Sequence, residues 1–226
     1  MNICALIPSY NESQTIAPLV KNVKGYGLDV IVIDDGSSDQ TADLAQEAGA
    51  TVIRQNSNQG KGAALKNGFA MVLEKEYDAV ITLDADGQHS PDDLPDFINT
   101  YAKGGADIVA GNRMKATESM PLIRWLTNNT MSFFISLLCR YNIPDSQCGY
   151  RLIKTNVLKS IALISDNYEI ESEMLIWSCR RGFKIKFIPI QTIYAKQRSQ
   201  INPLIDTIRF FKFLLKIQTP FLFNKK

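Results

Sequence analysis

Residues 79–93 read A-V-I-T-L-D-A-D-G-Q-H-S-P-D-D, a short apolar run followed by an acidic loop and the first turn of a helix. The apolar run at 79–83 has the length and composition of a buried strand. Ser90 followed by Pro91 and two aspartates indicates a helix start, because serine caps the first turn, proline fits its first position and acids favour its positive end. The order of strand, loop and helix predicts one unit of a parallel sheet.

The same alternation extends to both sides of this stretch. Apolar runs predict further strands at 2–7, 30–33, 51–53 and 107–110, and helical patterns fall at 12–24, 39–48 and 61–75. Beyond residue 115 the pattern is mainly helical, with helices at 123–140, 169–181 and 203–217 and a strand-like run at 183–194. We therefore predict an α/β fold: a Rossmann-like, mainly parallel sheet with helices on both faces, plus a C-terminal amphipathic helix.

The composition is that of a folded globular protein, with 226 residues of which 45% are hydrophobic and 21% charged. No run of 18 uncharged apolar residues is present, so no bilayer span is predicted. The first residues lack a basic segment, so we expect no signal peptide. Four scattered cysteines without metal-ligand spacing fit reduced thiols and a cytoplasmic location.

The net charge of +2 is unevenly distributed. Residues 180–226 carry eleven basic residues and a single acid, a net charge of +10, whereas residues 1–179 sum to −8. We therefore predict one folded domain over 1–195 and a basic, aromatic segment over 196–226 with an anionic partner. Aromatic and basic residues mixed over 208–223 favour an amphipathic helix at a membrane surface. Packing on a second protomer, on a membrane subunit or in the protein core are the alternatives, and no nucleic acid partner is expected.

Acidic residues follow two of the predicted strands directly. Asp84 and Asp86 lie two residues apart after the fourth strand, so both side chains point the same way. Two carboxylates on an open loop suit Mg²⁺ or Mn²⁺ shared with a ligand diphosphate, and Gln88 offers a further oxygen. In isolation a D-x-D pattern in a loop is more often a turn or a cap, but its place after a buried strand favours the metal site. In the second acidic cluster, one of Asp34 and Asp35 is predicted to bind a base or ribose, and Asp34 or Asp39 to cap the next helix.

Six short motifs in register carry a resemblance to a known family. They are I-P-S-Y-N-E (7–12), V-I-D-D-G-S-S-D (32–39), N-Q-G-K-G-A-A-L-K-N-G (58–68), D-A-D-G-Q (84–88), G-N-R (111–113) and C-G-Y-R (148–151). Together they resemble the family 2 glycosyltransferases, and their order and spacing are similar to those of dolichyl- and polyprenyl-phosphate sugar synthases. The resemblance covers about residues 2–195.

The resemblance implies a GT-A fold and a metal-dependent enzyme that moves a hexose from a UDP- or GDP-sugar to a polyprenyl phosphate at the cytoplasmic face of a membrane. It implies nucleotide-sugar contacts from Pro8, Tyr10, Glu12, Ile33, Asp35, Asp84, Ala85 and Asp86. It implies metal ligands at Asp84, Asp86 and Gln88. Arg113 would meet the phosphates of donor or acceptor, and Arg124 and Asn128 would hold the acceptor phosphate.

One departure from the family pattern falls near the C-terminus. Relatives carry Lys or His after the serine of a late motif, but here Gln200 follows Ser199. The positive charge expected against the donor diphosphate is then assigned to Arg198, with Lys196 as the alternative.

The choice of acceptor decides whether the enzyme needs a general base. A polyprenyl phosphate is already an anion, so catalysis would rest on positioning and charge stabilisation, with Asp86 and Arg113 as the catalytic residues. A sugar hydroxyl would have to be deprotonated, and Asp145 is the candidate base. A turn or an ion pair with Arg151 is its structural alternative. A nucleotidyltransferase and a non-catalytic transferase-like subunit are competing interpretations.

Overall fold

A computed structural model describes residues 1–115, 120–191 and 209–217. Within these residues a seven-stranded sheet has the order β3-β2-β1-β4-β6-β5-β7. The strands are β1 (Ile3–Ser9), β2 (Asp29–Asp34), β3 (Thr51–Arg54), β4 (Ala79–Thr82), β5 (Ile108–Asn112), β6 (Arg151–Lys154) and β7 (Ile185–Pro189). The helices are α1 (Ile16–Gly25), α2 (Thr41–Glu47), α3 (Lys61–Glu74), α4 (Leu94–Ala102), α5 (Leu122–Cys139), α6 (Thr155–Ser160) and α7 (Glu169–Arg180). Short 3-10 turns occupy Pro91–Asp93 and Arg113–Lys115.

The sheet is mainly parallel, which confirms the predicted fold class. Strands β1, β2, β3 and β4 pair in parallel, as do β5 and β7. Strand β6 runs antiparallel to both of its neighbours, β4 and β5. Because β1 and β4 lie side by side in the middle of the sheet, the loops that follow them open at the same edge.

Two hydrophobic clusters cover the two faces of the sheet. Along β1, Cys4 and Leu6 point into one cluster while Ala5 and Ile7 point into the other. This alternation is what a strand buried on both faces requires, and it explains why the first strand has an unbroken apolar sequence.

Strand β6 is the main element that the sequence did not predict. It has four residues, R-L-I-K, so its apolar signal is two residues long. Its first residue, Arg151, is buried, and its guanidinium donates to the carbonyl oxygens of Cys148, Ser146 and Glu171. The hydrogen bonds to backbone carbonyls are what allow this arginine to be buried. The sequence does not show them, so an arginine at the start of a short apolar run does not indicate a buried strand.

The boundaries of two predicted elements need correction. The helix predicted from Glu12 begins at Ile16, because a turn in which Thr15 N–H donates to the Glu12 carbonyl comes first. The strand predicted over 183–194 is observed at Ile185–Pro189, and residues beyond 191 lie outside the described part. The predicted cap at Ser90 is confirmed, since its hydroxyl accepts from the Asp92 N–H at 3.2 Å.

Residues 209–217 form a helix that packs on the main core. Its buried face consists of Phe210, Phe213, Leu214 and Ile217. Phe211 and Leu215 are exposed between basic residues. The part of this segment that the structure describes therefore combines core packing on one side with an apolar and basic outer side. Among the described residues, no helix has the length and apolar character needed to cross a membrane.

Candidate active site

A cleft of about 820 Å³ opens at the sheet edge where β1, β2 and β4 end. Its floor is the loop after β4. Its walls come from the loop after β1, from the first turns of α3 and α7, and from the first three turns of α5. Of the residues expected at the site, it is lined by Pro8, Tyr10, Glu12, Asp35, Asp84, Ala85, Asp86, Gln88, Arg113, Arg124 and Asn128. Residues far apart in the sequence thus meet in one cleft.

Asp84 is held as an anion by a lysine that the sequence did not single out. The ammonium of Lys61, the first residue of α3, contacts the Asp84 carboxylate and lies 2.6 Å from Glu171 Oε1. Burial favours the neutral form of Asp84, but the charge of Lys61, aided by Arg113, outweighs it and lowers the pKa of Asp84 to about 2. Burial likewise opposes the charge on Lys61, yet the two carboxylates raise its pKa.

Asp86 lies in a different electrostatic environment two residues later. Burial and then the negative charge of Asp84 raise its pKa, although the Gln88 N–H donates to its Oδ1 at 3.0 Å. The Gln88 side-chain oxygen accepts from Arg124 Nη1 at 3.3 Å. A carboxylate whose charge is disfavoured by a neighbouring carboxylate is a site that a cation stabilises.

These oxygens suit a divalent cation that also binds a ligand. Across residues 1–115, 120–191 and 209–217, no group of three or more His, Cys, Asp or Glu side chains could enclose a metal. Mg²⁺ and Mn²⁺ sites of nucleotide enzymes use one or two carboxylates and take further oxygens from phosphates. Asp84 and Asp86, with Gln88 beside them, match that donor set.

His89 helps to fix the loop after β4, which carries Asp84 and Asp86. The Asp84 N–H donates to His89 Nδ1 at 3.3 Å, which requires that nitrogen to be unprotonated. Burial lowers the pKa of the imidazole, consistent with a neutral ring, and the ring lies 5.2 Å from that of Tyr150. On the other side, the Thr15 hydroxyl donates to the Ala85 carbonyl at 2.6 Å. The aspartates are therefore carried on a fixed backbone.

Arg113 is fixed by a two-pronged ion pair. Its Nε and Nη2 donate to Asp145 Oδ2 and Oδ1 at 2.8 and 2.9 Å, and both side chains are buried. Burial alone would raise the pKa of Asp145, but the guanidinium outweighs it and lowers that pKa. The ion pair expected with Arg151 is therefore made with Arg113 instead. Asp145 does not line the cleft, and both of its oxygens are engaged by a cation.

On the side of the cleft where a nucleotide is expected, Asp35 holds the loop before α3 in place. Its two carboxylate oxygens accept from the N–H groups of Gln59 and Gly60 at 2.8 Å each. Gly60 has φ of 99°, in the left-handed region that favours glycine, and leads directly into Lys61. The other acid, Asp34, accepts from the Ser37 N–H at 3.3 Å, as a turn residue does. Ile33 packs in the core and is not among the cleft residues.

On the side of the cleft where an acceptor phosphate is expected, α5 presents polar groups. Arg124 and Asn128 lie one turn apart and both line it. Asn128 is 6% exposed, and its Nδ2 has no hydrogen-bond partner within the described part of the chain. A buried amide that lacks a partner costs free energy unless a ligand supplies an acceptor. Arg198, Lys196 and Gln200 lie outside the described residues.

Glu171 and Lys61 are the site residues that sequence reasoning missed. Lys61 belongs to the 58–68 motif, but the spacing of glycines and lysines in that motif matches no phosphate-binding pattern. Glu171 sits in a helix predicted correctly, and nothing in that helix marks one glutamate as facing the cleft. These charges come together because the loop before α7 meets the first turn of α3, where the Ala63 N–H donates to the Asp166 carbonyl.

Gly149 leaves room for the Asp84–Lys61 pair. A Cβ at this position would lie 2.8 Å from Asp84 Oδ1 and 2.9 Å from Lys61 Nζ. We expect Gly149→Ala to displace both groups and to lower kcat/KM at least about tenfold, with about 1–3 kcal/mol of destabilisation. Steady-state kinetics and thermal unfolding measure the two effects. Wild-type kinetics would contradict the expectation, and Gly25→Ala, at the exposed end of α1 with open space around it, is a control for expression and handling.

Comparisons with known proteins agree on the family. The model of "Glycosyl transferase family 2" matches residues 4–162. UDP-N-acetylglucosamine--dolichyl-phosphate N-acetylglucosaminyltransferase of Methanococcus voltae is 32% identical, covering 94% of this chain and 95% of that protein. Undecaprenyl-phosphate mannosyltransferase of Micrococcus luteus is 30% identical, covering 84% of this chain and 83% of that protein.

A solved structure shares the fold. Glucosyl-3-phosphoglycerate synthase from Mycobacterium tuberculosis, in complex with Mn²⁺, UDP and phosphoglyceric acid, superposes with a TM-score of 0.76. The match covers 95% of this chain and 78% of that one at 19% identity. At this identity the likeness concerns the fold, and it confirms the expected GT-A architecture.

Proposed function

The chain belongs to glycosyl transferase family 2 and is a hexosyltransferase; from this premise, we propose that its acceptor is a polyprenyl phosphate. The donor is a UDP- or GDP-hexose, the cofactor is Mg²⁺ or Mn²⁺, and the enzyme works at the cytoplasmic face of a membrane. The two relatives described above are named for different sugars but share a polyprenyl-type phosphate acceptor. We therefore base the proposal for this chain on the acceptor class that the two relatives share, and not on either of their sugars.

The observation that carries this proposal is that α5 has a polar side facing the cleft and an apolar side facing solvent. Its inner side brings Arg124 and Asn128 to the cleft. Its outer side carries an apolar row, here called the α5 stripe, made of Leu122, Leu126, Phe133 and Leu137, which are 76%, 57%, 66% and 66% exposed. Their spacing of four, seven and four residues places them on one helix face. An acceptor with a phosphate head and a hydrocarbon tail matches such a helix.

The outer side of helix 209–217 continues this surface. Phe134 of α5 and Phe211 pack edge to face with ring centroids 5.4 Å apart. Exposed Lys212 stands beside Phe211, and exposed Arg140 follows the end of α5. Apolar side chains flanked by cations fit a surface with an acyl interior and anionic headgroups. This arrangement supports peripheral membrane association.

The reaction then needs positioning more than proton transfer. An acceptor phosphate oxygen attacks the anomeric carbon as the bond to the nucleoside diphosphate breaks, which inverts the anomeric centre. Because the nucleophile is already an anion, no side chain has to remove a proton. Asp84 and Asp86, with Gln88, would hold the divalent cation, which neutralises charge on the leaving diphosphate. Arg113, fixed by Asp145, offers a further cation to phosphate oxygens.

Transfer to a sugar hydroxyl is less well supported. That reaction needs an accessible carboxylate to take the proton. Asp145, the residue considered for this role, is buried and occupied by Arg113. We assign it instead to positioning Arg113.

The α5 stripe gives a direct test of the lipid acceptor. We expect the double variant Leu122→Gln/Leu126→Gln to transfer sugar to a long-chain polyprenyl phosphate in anionic vesicles about tenfold more slowly, because two apolar anchors of about 1.5 kcal/mol or more each are lost in part. Transfer to a short, water-soluble isoprenyl phosphate should be unchanged. Vesicle co-sedimentation measures the membrane contribution separately.

Tyr26→Ser is the matched control, since it removes an exposed aromatic side chain that does not line the cleft. It should leave both rates and vesicle binding unchanged. Equal losses with the long and the short acceptor would mean that the double variant damages the cleft, and unchanged vesicle kinetics would remove the stripe from lipid recognition.

A further inference from the structure

Lys61 makes a charge contact that the roles described above leave unexplained. Its ammonium lies between two carboxylates from different parts of the fold, Asp84 after β4 and Glu171 in the first turn of α7. The Lys61 and Glu171 side chains are 16% and 5% exposed. One of these partners is a proposed metal ligand, and the other has no role in nucleotide or acceptor binding so far.

The position of the ammonium is fixed from both ends. Lys61 begins α3 directly after Gly60, whose N–H is bound by Asp35. The loop before α7 closes over this point, since the Ala63 N–H donates to the Asp166 carbonyl at 3.1 Å. The first turns of α3 and α7 are thereby held together, so Lys61 and Glu171 stay within reach of each other.

A divalent cation at Asp84 changes the balance of charges around Lys61. The carboxylate that now binds the ammonium must then bind the metal, and two cations repel each other at this distance. A buried ammonium left without a partner is strongly destabilising. Lys61 therefore requires another acceptor once Asp84 binds the metal. Glu171 Oε1 is already 2.6 Å away.

We propose that Glu171 is a positioning residue of the metal site, which receives the ammonium of Lys61 when a divalent cation takes Asp84. Lys61 thus holds Asp84 in place before the metal binds. When Asp84 binds the metal, Glu171 keeps the Lys61 ammonium paired with a carboxylate. This inference rests on the proposed metal dependence. It adds two residues that set metal affinity without being metal ligands.

The test is a double-mutant cycle on Mn²⁺ affinity, read from the loss of the free-Mn²⁺ electron paramagnetic resonance signal with the full chain and either UDP or GDP, relative to the nucleotide without protein. With Glu171 present, Lys61 can move aside, so Lys61→Met should change the dissociation constant less than about threefold. In the Glu171→Gln background Lys61 stays on Asp84, so adding Lys61→Met should tighten Mn²⁺ binding about tenfold or more. Glu171→Gln alone should weaken it.

A second variant separates this exchange from a general charge effect and does not depend on the folding of Lys61→Met. Glu171→Asp keeps the negative charge but shortens the reach by one methylene, so it should weaken Mn²⁺ binding as Glu171→Gln does. Two controls lie outside the cleft and should match wild type. They are Lys66→Met on α3, whose lysine pairs with Asp166 in the loop before α7, and Glu169→Gln on α7.

The outcomes are distinguishable. The same factor for Lys61→Met in both backgrounds, or wild-type affinity in Glu171→Asp, would overturn the exchange while leaving the metal site intact. A wild-type chain that takes up no Mn²⁺ beyond what UDP or GDP binds in solution would contradict the proposed metal dependence and this inference with it.

Discussion

Asp86→Asn is expected to lower kcat/KM for sugar transfer about a thousandfold or more, because a bound divalent ion contributes several kcal/mol of charge stabilisation and this change removes one of its two carboxylates. The substitution preserves shape, and the Gln88 N–H can still donate to the remaining side-chain oxygen. The free energy of unfolding should not fall, since burial and Asp84 already disfavour the charge of Asp86. Steady-state kinetics with and without added Mn²⁺, together with thermal unfolding, measure both parts.

Asp96→Asn makes the same chemical change at an exposed position of α4 and should behave as wild type. If Asp86→Asn kept transfer within about tenfold of wild type, the assignment of Asp86 to the metal and diphosphate would be wrong.

Arg113→Met is expected to have the second largest effect. Loss of a preorganised cation at developing negative charge lowers kcat by about a hundredfold to a thousandfold. It also leaves the buried Asp145 carboxylate without its partner, which costs about 3–5 kcal/mol of stability. Activity and stability should therefore fall together in this variant.

Arg113→Met/Asp145→Asn separates the two effects. Removing the unpaired charge should restore most of the stability, while transfer stays as low as in Arg113→Met, because the cation is still absent. Asp145→Asn alone keeps the arginine and should retain at least about tenfold more transfer than Arg113→Met. Recovery of transfer in the double variant would show that Arg113 acts through stability alone.

The fold was predictable because its signals are local. The strand before Asp84 and the cap at Ser90 are each encoded within a few residues, and the alternation of strands and helices orders them into a parallel sheet. Strand β6 escaped because its core position depends on a buried arginine bound to carbonyls from three other residues. The hydrogen bonds between this guanidinium and those carbonyl oxygens form only in the tertiary structure.

The site was predictable where side chains follow strands and not where helices supply charges across the cleft. Asp84 and Asp86 lie where the carboxyl end of β4 puts them. Glu171 reaches the same place because tertiary packing positions the first turn of α7 beside Lys61. Arg113 pairs with Asp145, which lies 32 residues later in the sequence and is brought to it by the fold. These pairings depend on distances that a linear pattern does not contain.

The most direct test of the lipid-phosphate assignment is a transfer assay with labelled UDP-glucose, GDP-mannose and UDP-N-acetylglucosamine, a polyprenyl phosphate in detergent, and Mg²⁺ or Mn²⁺. We expect label from one donor to move into the organic phase, and this movement should be lost with EDTA and in Asp86→Asn. Label that never enters the organic phase from any of these donors, while the protein binds a nucleotide sugar in a metal-dependent way, would contradict the polyprenyl phosphate acceptor.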